Sequence, residues 1–299
     1  MQQSLNKDNL KNIKPKVAIL LAAYNGIEWI EEQVFSILNQ ENVKIEIFIS
    51  VDFSTDGTYE WCKEAEANNN LIHVLPYGKR FGGAAKNFFR LINDVNISKY
   101  EFVSFADQDD IWFPGKLSRA IKLLEKNMCD AFSSDVIAFW NNGKEIKIKK
   151  SFPQKKYDYI FEAAGPGCTY VFKSKALSEF KIFLNLNWLA INKVALHDWM
   201  IYAFFRSKKL KWYIDKIPYI KYRQHLKNEA GANYNLKAFK KRILLIKNNW
   251  YKKEVEKVSN LIDFNHPLDF WFRVKNFWQL RRRPRDVFFL LIISLFGLY

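Results

Sequence analysis

Three carboxylates fall within four residues at Asp107-Gln108-Asp109-Asp110, directly after the apolar run Phe102 to Ala106. Such charges repel one another unless a cation or solvent relieves them. At the end of a buried strand a divalent ion is the natural relief: Mg²⁺ and Mn²⁺ favour oxygen ligands and bridge to substrate phosphates. The same residues would also serve as a solvated acidic turn capping the next helix. A second cluster, Asp52-Phe53-Ser54-Thr55-Asp56-Gly57-Thr58, follows the run Ile45 to Val51. Gly57 permits a tight turn, and the hydroxyl and carboxylate side chains can hold the loop or cap a helix. Asp52 stands where it could accept hydrogen bonds from a base or a ribose, although an ordinary capped turn reads equally from these residues. The third element, Ala22-Ala23-Tyr24-Asn25-Gly26, is a turn with an aromatic able to lie against a nucleotide.

The elements that must position these residues read as alternating strands and helices. Strands are expected at Val17 to Ala22, Ile45 to Val51, Leu71 to Leu75 and Phe102 to Ala106. Between and after them come helices marked by Ile27, Ile30, Val34, Ile37 and Leu38, by Thr58 to Ala67, by Ala84 to Val95, and by Leu117, Ala120, Ile121 and Leu124. Short apolar strands separated by helices predict an α/β fold with a parallel sheet covered on both faces. Ligands in such sheets bind beyond the carboxyl ends of the strands. From Asp130 the rhythm breaks. Ala131 to Trp140 predicts a strand, Asn141-Asn142-Gly143 a turn, Thr169 to Phe172 a strand, Trp199 to Arg206 a helix and Lys211 to Tyr222 two short strands.

Composition narrows the classes. The chain has 299 residues, 49% of them apolar and 17% aromatic, enough to build a full core and too apolar for a disordered chain. A net charge of +16 seeks anions: nucleic acid, an acidic membrane surface or a phosphorylated substrate. No nucleic-acid motif is present, so no nucleic-acid partner is expected. Cys62, Cys129 and Cys168 show neither metal spacing nor pairing, which fits a reducing, cytoplasmic compartment. The polar N-terminus has no apolar signal core.

Taken in order, Ala23-Tyr24-Asn25-Gly26, Ser36-Ile37-Leu38-Asn39-Gln40, Asp52 to Thr58, Phe81-Gly82-Gly83 with Asn87-Phe88, and Ala106-Asp107-Gln108-Asp109-Asp110-Ile111-Trp112 form a specific succession. It resembles the nucleotide-sugar-binding half of the family 2 glycosyltransferases of GT-A fold, and is similar to their bacterial rhamnosyltransferase-like branch. More sparsely, His197-Asp198-Trp199 looks like the family's catalytic-base motif. Tyr222-Arg223-Gln224-His225 with Asn228 and Gly231 looks like its loop over the diphosphate. The resemblance implies a catalytic domain over 1–235, with a donor half at 16–126 and an acceptor half at 127–235.

By that resemblance Ala23, Tyr24, Asn25, Asp52, Asn87, Asp107 and Arg223 would hold the nucleotide-diphosphate sugar donor. Asp109 and His225 would bind Mn²⁺ or Mg²⁺, with Asp110 nearby. Asp198 would be the general base of an inverting transfer to a glycan or lipid-linked acceptor in cell-surface polysaccharide synthesis. dTDP-rhamnose is the first candidate donor, and UDP-hexoses stay open. Asp198 would equally suit a plain helix start, and Arg223 and His225 a basic surface loop. Val51 and Phe53 depart from the family's usual second Asp and following Gly, and Ala22-Ala23 from its frequent Thr or Ser. An inactive nucleotide-sugar or glycan-binding protein of the same fold is the alternative. His73 and His266 receive no role.

Residues 236–299 read as a basic, amphipathic helical extension. Between 236 and 286 there are 14 Lys or Arg against 5 Asp or Glu. Arg281-Arg282-Arg283-Pro284-Arg285 then precedes the 13-residue apolar run Val287 to Tyr299, too short to span a bilayer. A polybasic patch beside a short apolar segment predicts peripheral association with an anionic membrane at its inner face. The oligomeric state is not fixed by these features.

Overall fold

The structure, a computed structural model, describes residues 14–225 and 249–296. The first three strands are β1 (Lys16–Ala23), β2 (Lys44–Val51) and β3 (Ile72–Val74). β4 (Phe102–Asp107) and β5 (Ile111–Trp112) flank the acidic cluster. β6 (Ala131–Ser134), β7 (Val136–Phe139), β8 (Glu145–Ile148), β9 (Val171–Lys173), β10 (Trp212–Asp215) and β11 (Ile220–Arg223) follow. The helices between them are α1 (Ile30–Leu38), α2 (Thr58–Asn68), α3 (Ala84–Asp94), α4 (Lys116–Lys126), α5 (Asp158–Phe161), α6 (Ser174–Leu186), α7 (Trp188–Ile191) and α8 (His197–Ser207). The described part of the extension adds α9 (Trp250–Leu261), α10 (Phe270–Leu280) and α11 (Pro284–Leu295).

A seven-stranded sheet runs in the order β10-β6-β9-β4-β1-β2-β3. β1 lies between β2 and β4, parallel to both, and its residues from Val17 to Ala23 are all buried. This is why its sequence is a continuous apolar run rather than an alternating one. The sheet is not wholly parallel: β9 enters antiparallel to both β4 and β6. The register sets Ala22 opposite Asp107 and Ala23 opposite Val51. The carboxyl ends of β1, β2 and β4 therefore meet at one edge, where the three motifs emerge.

A second sheet, β5-β11-β7-β8, stands beside the first. The expected strand Ala131 to Trp140 is two strands, one in each sheet, divided at Asp135. There the Asp135 carboxylate accepts from the backbone N–H groups of Lys150 (2.6 Å) and Ser151 (2.8 Å). Two apolar clusters are found among the described residues. One, built on β1, β4, α3, α6 and α8, also takes in Val255, Val258, Leu280, Leu290 and Ile293 of the extension. The C-terminal helices thus share the core of the catalytic half instead of standing apart from it.

Candidate active site

The first two loops are stitched together. Asn25 takes a left-handed backbone (φ 44°), its N–H donating to Ser54 Oγ at 3.0 Å and its Oδ1 accepting from Thr55 N at 2.9 Å. Gly26 N donates to Thr58 Oγ1 (2.8 Å) and Ile27 N to Asp56 Oδ2 (3.1 Å). Gln108, inside the acidic cluster, exchanges two bonds with the backbone of Tyr24 (2.7 and 2.8 Å). All three motifs are thereby locked into one wall, with Tyr24 and Phe53 exposed at its rim. Phe53 stacks on Tyr77 (6.0 Å between centroids), and Tyr77 stacks on Tyr59 (3.9 Å).

Several residues expected to hold the donor act on the protein itself. The Asp52 carboxylate accepts from the N–H groups of Phe53 (2.8 Å), Phe81 (2.7 Å) and Gly82 (2.9 Å), drawing the Phe81-Gly82-Gly83 loop over the strand end. Asn87 is buried; its Nδ2 donates to Ala23 O (3.3 Å) and Ser50 O (2.9 Å), and its Oδ1 accepts from Ser50 Oγ. Its carboxamide clamps β1 to β2, a positioning role in place of the expected donor contact. Ala23 contributes its carbonyl, which also accepts from Asp52 N at 2.8 Å.

The small sheet brings distant residues to the acidic cluster. β11 pairs with β5, setting Ile220 opposite Trp112 and Lys221 opposite Ile111. Arg223 then donates from its backbone N–H to Asp110 Oδ1 (3.2 Å) and from Nε to Asp109 O (2.8 Å), and it pairs with Glu32 of α1. His225 Nε2 lies 2.8 Å from Asp109 Oδ2, and its ring stacks on Trp29 at 3.9 Å. The two expected metal ligands, 116 positions apart in the sequence, are therefore brought together by the fold. Asn228 and Gly231 lie outside the described residues.

Beneath the carboxylates is a charged floor. Lys116 is buried, with Nζ donating to Ser104 Oγ (2.9 Å) and lying 3.2 Å from the Trp112 ring centroid. Burial brings its pKa down to about 7, against the opposing pull of Cys168 and Asp110. Burial, then the charges of Asp109 and Asp107, hold the Asp110 carboxyl well above the usual carboxylate range. Burial likewise pushes the Cys168 thiol well up, so it stays protonated beside Asp110. Asp107, Asp110 and Cys168 each present an atom within 4.8 Å of the others. A hard divalent ion prefers oxygen to a protonated thiol, so the fitting ligands are the carboxylates and His225. Asp110 Oδ2 is buried with no hydrogen-bond partner, the kind of orphaned oxygen that a cation would satisfy.

The expected base stands at the start of α8, where a carboxylate faces the positive end of the helix dipole. Asp198 is half-buried; its Oδ1 accepts from Trp199 N at 2.8 Å, and its pKa is raised to about 6 by burial, against the pull of Trp199 N–H and Lys150. His197 is no partner in proton transfer. It stacks on Phe88 (4.1 Å), has a buried Nε2 with no hydrogen-bond partner, and is held neutral by burial down to a pKa of about 3. A turn from Gly165 to Thr169 joins this corner to the floor. A Cβ on Gly167 would fall 2.4 Å from His197 Nε2 and 3.4 Å from Asp198 Cβ, while the next residue, Cys168, reaches Asp110.

Four contributors were not legible beforehand: Trp29, Glu32, Lys116 and Lys150. Each carries a common local reading, as amphipathic helix residues or surface lysines, that its long-range contacts override. The polybasic run is corrected in part. Arg282 donates to Ala163 O and Ala164 O (3.4 Å for the latter) and pairs with Glu162 (3.3 Å) and Asp158 (3.5 Å). Arg281 donates to Phe161 O (2.8 Å) and Tyr251 OH (2.9 Å). These two arginines serve the interior, because buried Asp158 and the carbonyls of 161–164 need donors there.

Comparison with known proteins agrees with this geometry. The model of glycosyl transferase family 2 matches residues 18–186. The chain is 43% identical over 289 residues to a dTDP-rhamnosyl transferase, RfbG, of Shigella flexneri, covering 93% of this chain and all of that one. It is 28% identical over 164 residues to a UDP-Glc:alpha-D-GlcNAc-diphosphoundecaprenol beta-1,3-glucosyltransferase, WfgD, of Escherichia coli, covering 54% of this chain and 61% of that one. Among solved structures, S. aureus TarS 1-349 with UDP superposes with a TM-score of 0.58 at 16% identity, over 94% of this chain and 70% of that one. A mannosyltransferase of Pyrobaculum calidifontis with GDP-Man and Mn²⁺ gives 0.51 at 14%, over 96% and 86%. The loops at the ends of β1, β2 and β4 and the fold that gathers them are those of a GT-A nucleotide-sugar enzyme, and the chain belongs to the family 2 glycosyltransferases, on their rhamnosyltransferase-like side.

Proposed function

We propose that this enzyme is an inverting, divalent-metal-dependent rhamnosyltransferase that uses dTDP-rhamnose and a glycan or lipid-linked acceptor. The observation that carries the reading is the turn Gly165 to Thr169, which ties the Asp198 corner to the carboxylate cluster through adjacent residues. A donor bound over Asp107–Asp110 would then present its anomeric carbon toward Asp198.

In this reading Tyr24, Asn25 and the loop held by Asp52 and Asn87 receive the nucleoside. Asp107 would contact the ribose or help to hold the divalent ion. Asp109, His225 and Asp110 would hold Mn²⁺ or Mg²⁺, which supplies positive charge to the departing nucleoside diphosphate. Arg223, anchored by Glu32 and Asp109 O, shapes the lip on the diphosphate side. Asp198 Oδ2 takes the proton of the acceptor hydroxyl while its oxygen bonds to the anomeric carbon and the bond to the diphosphate breaks on the opposite face. One displacement inverts the centre. With a pKa of about 6, Asp198 is mostly ionised at neutral pH and ready to accept.

The acceptor side favours a lipid surface. Phe288, Phe289, Ile292 and Leu295 of the last helix are exposed, as are Phe296 just after it and Trp271 of α10. Among the described residues no helix is long and apolar enough to cross a membrane. Such aromatics suit a peripheral position at the inner leaflet, where the +16 chain would meet anionic lipid.

The test is release of nucleoside diphosphate from a panel of nucleotide sugars with Mn²⁺, before and after chelation, with Asp109→Asn and Asp198→Asn alongside. Turnover of dTDP-rhamnose, abolished by chelation and in both variants, is expected. Nucleotide-sugar binding with no turnover of any donor when lipid-linked acceptors are supplied would instead establish the inactive binding protein.

A further inference from the structure

Trp29 stands at the head of α1, between the first loop and the end of β11. Its backbone N–H donates to Gly26 O (2.9 Å), and its carbonyl accepts from Gln33 N (3.1 Å). The residue is thereby fixed on one side by the loop after β1 and on the other by the helix. Trp29 is buried, and its ring lies against the His225 imidazole with centroids 3.9 Å apart and planes inclined by 13°. The edge of that imidazole carries Nε2, which lies 2.8 Å from Asp109 Oδ2. One face of His225 is taken by Trp29 while one ring nitrogen meets the acidic cluster.

This contact is half of a two-point clasp. The ladder runs one residue past β11, with Gln224 N donating to Phe139 O at 2.9 Å. Arg223 and His225, two positions apart on either side of Gln224, both reach α1, as alternate residues of a strand do. On the helix, Trp29 and Glu32 are three positions apart and so are neighbours on one side. Glu32 takes the Arg223 guanidinium and Trp29 takes the His225 ring. The ion pair sets how far the strand end advances, but it does not set how the imidazole turns. The ring torsion of histidine is broad, so an imidazole held only by its backbone would swing away from the carboxylate. A flat contact at 13° opposes that swing, because a turned ring would strike the indole with its edge.

We propose that Trp29 is a positioning residue for the metal ligand His225: its indole holds the imidazole plane so that Nε2 is presented at the Asp109 carboxylate. This rests on the reading of Asp109 and His225 as ligands. A ligand's orientation is commonly set by the groups around it, and a stacked ring does this without competing for the ligating nitrogen. Because Gly26 O anchors the same tryptophan, the turn proposed to receive the nucleoside and the proposed metal corner share one residue. A tryptophan needed only as core filling would be replaced by any apolar side chain of similar size; a stacking role asks for a ring.

The experiment titrates the full-length protein with Mn²⁺ in the presence of dTDP, reading free Mn²⁺ by its electron paramagnetic resonance signal. Trp29→Leu is expected to weaken Mn²⁺ binding about 10-fold. Trp29→Phe, which keeps a ring face, should stay within about 3-fold of the unaltered protein. His225→Ala should weaken binding too, and Trp29→Leu added to His225→Ala should cost less than about 2-fold more, because the ring it positions has gone. Trp29→Met serves as the second non-aromatic variant should the leucine disturb folding. Unchanged Mn²⁺ affinity in a folded non-aromatic variant would overturn the proposal. So would an equal loss from Trp29→Leu with and without the His225 side chain, which marks damage to the fold. No Mn²⁺ binding by the unaltered protein, or an affinity unchanged in His225→Ala, would instead remove the ligand reading itself, so the two failures are separable.

Discussion

At the scale of single residues, His197 and Asp198 are neighbours in one helix turn with opposite responses to acid. His197 titrates near 6.5 when unfolded but near 3 in the folded protein. Its neutral burial contributes stability that is present above about pH 6.5 and lost as pH falls toward 3. Asp198 is raised from 3.8 to about 6, so it favours the fold fully below pH 3.8, a contribution lost as pH rises through 6. Between pH 6 and 4 the two slopes, each about 1.4 kcal/mol per pH unit at most, oppose one another. Removing either partner should expose the other. Asp198→Asn should show a steeper loss of stability on acidification than the unaltered protein, and His197→Gln a shallower one. Urea denaturation at pH 4, 5, 6 and 7 reads both. Parallel curves for all three proteins would mean that neither burial shift exists.

At the scale of elements, the turn Gly165 to Thr169 is what would make one site of two separate motifs in the proposed function. Gly167 approaches α8 so closely that any side chain must displace the His197 ring and the start of the helix. Gly167→Ala is therefore expected to lower transfer about 100-fold through misplacement of the proposed base, Asp198, while nucleoside-diphosphate affinity changes little. Isothermal titration beside a turnover assay separates these, and equal losses in both would place the fault in the fold. The same elements mark where the sequence could be read. β1, β2 and β4 are near-continuous apolar runs ending in Asp or in turn residues, and both signals survive in a single sequence. The run from Ala131 to Trp140 looked like one strand because its apolar character hides the switch of sheets at Asp135. No expectation covered α6, whose Ile182 and Leu186 are exposed and blur the helical period. The linear pieces of the proposed donor site were visible. The pairing of His225 with Asp109, and of Arg223 with Glu32, depends on β11 joining β5 across a hundred residues, which no local pattern encodes. Lys116 and Lys150 were invisible for a simpler reason: lysine is ordinarily a solvated residue.

For the whole molecule, the described part of the C-terminal extension has two faces, one packed inward and one exposed. Its inward face carries Arg281 and Arg282 to Glu162, Asp158 and the carbonyls of 161–164, and Val255, Val258, Leu280, Leu290 and Ile293 into the main core. Its outward face carries Trp271, Phe288, Phe289 and Phe296. Deleting residues 281–299 would damage both at once, so loss of membrane binding in such a truncation would say nothing about the outward face. Point changes separate them. Arg282→Ala leaves the buried Asp158 short of a partner and should cost about 3–5 kcal/mol, as for other broken buried pairs, without altering the exposed aromatics. Trp271→Ser with Phe289→Ser and Phe296→Ser should leave the melting temperature nearly unchanged and weaken sedimentation with vesicles of anionic phospholipid. High salt should weaken binding of the unaltered protein as well, because part of the attraction is the chain's positive charge. Undiminished vesicle binding by a folded triple variant would remove the outward aromatic face from the proposed membrane contact. Binding lost in Arg282→Ala at full stability would return that arginine to the membrane-facing role that its position in the sequence first implied.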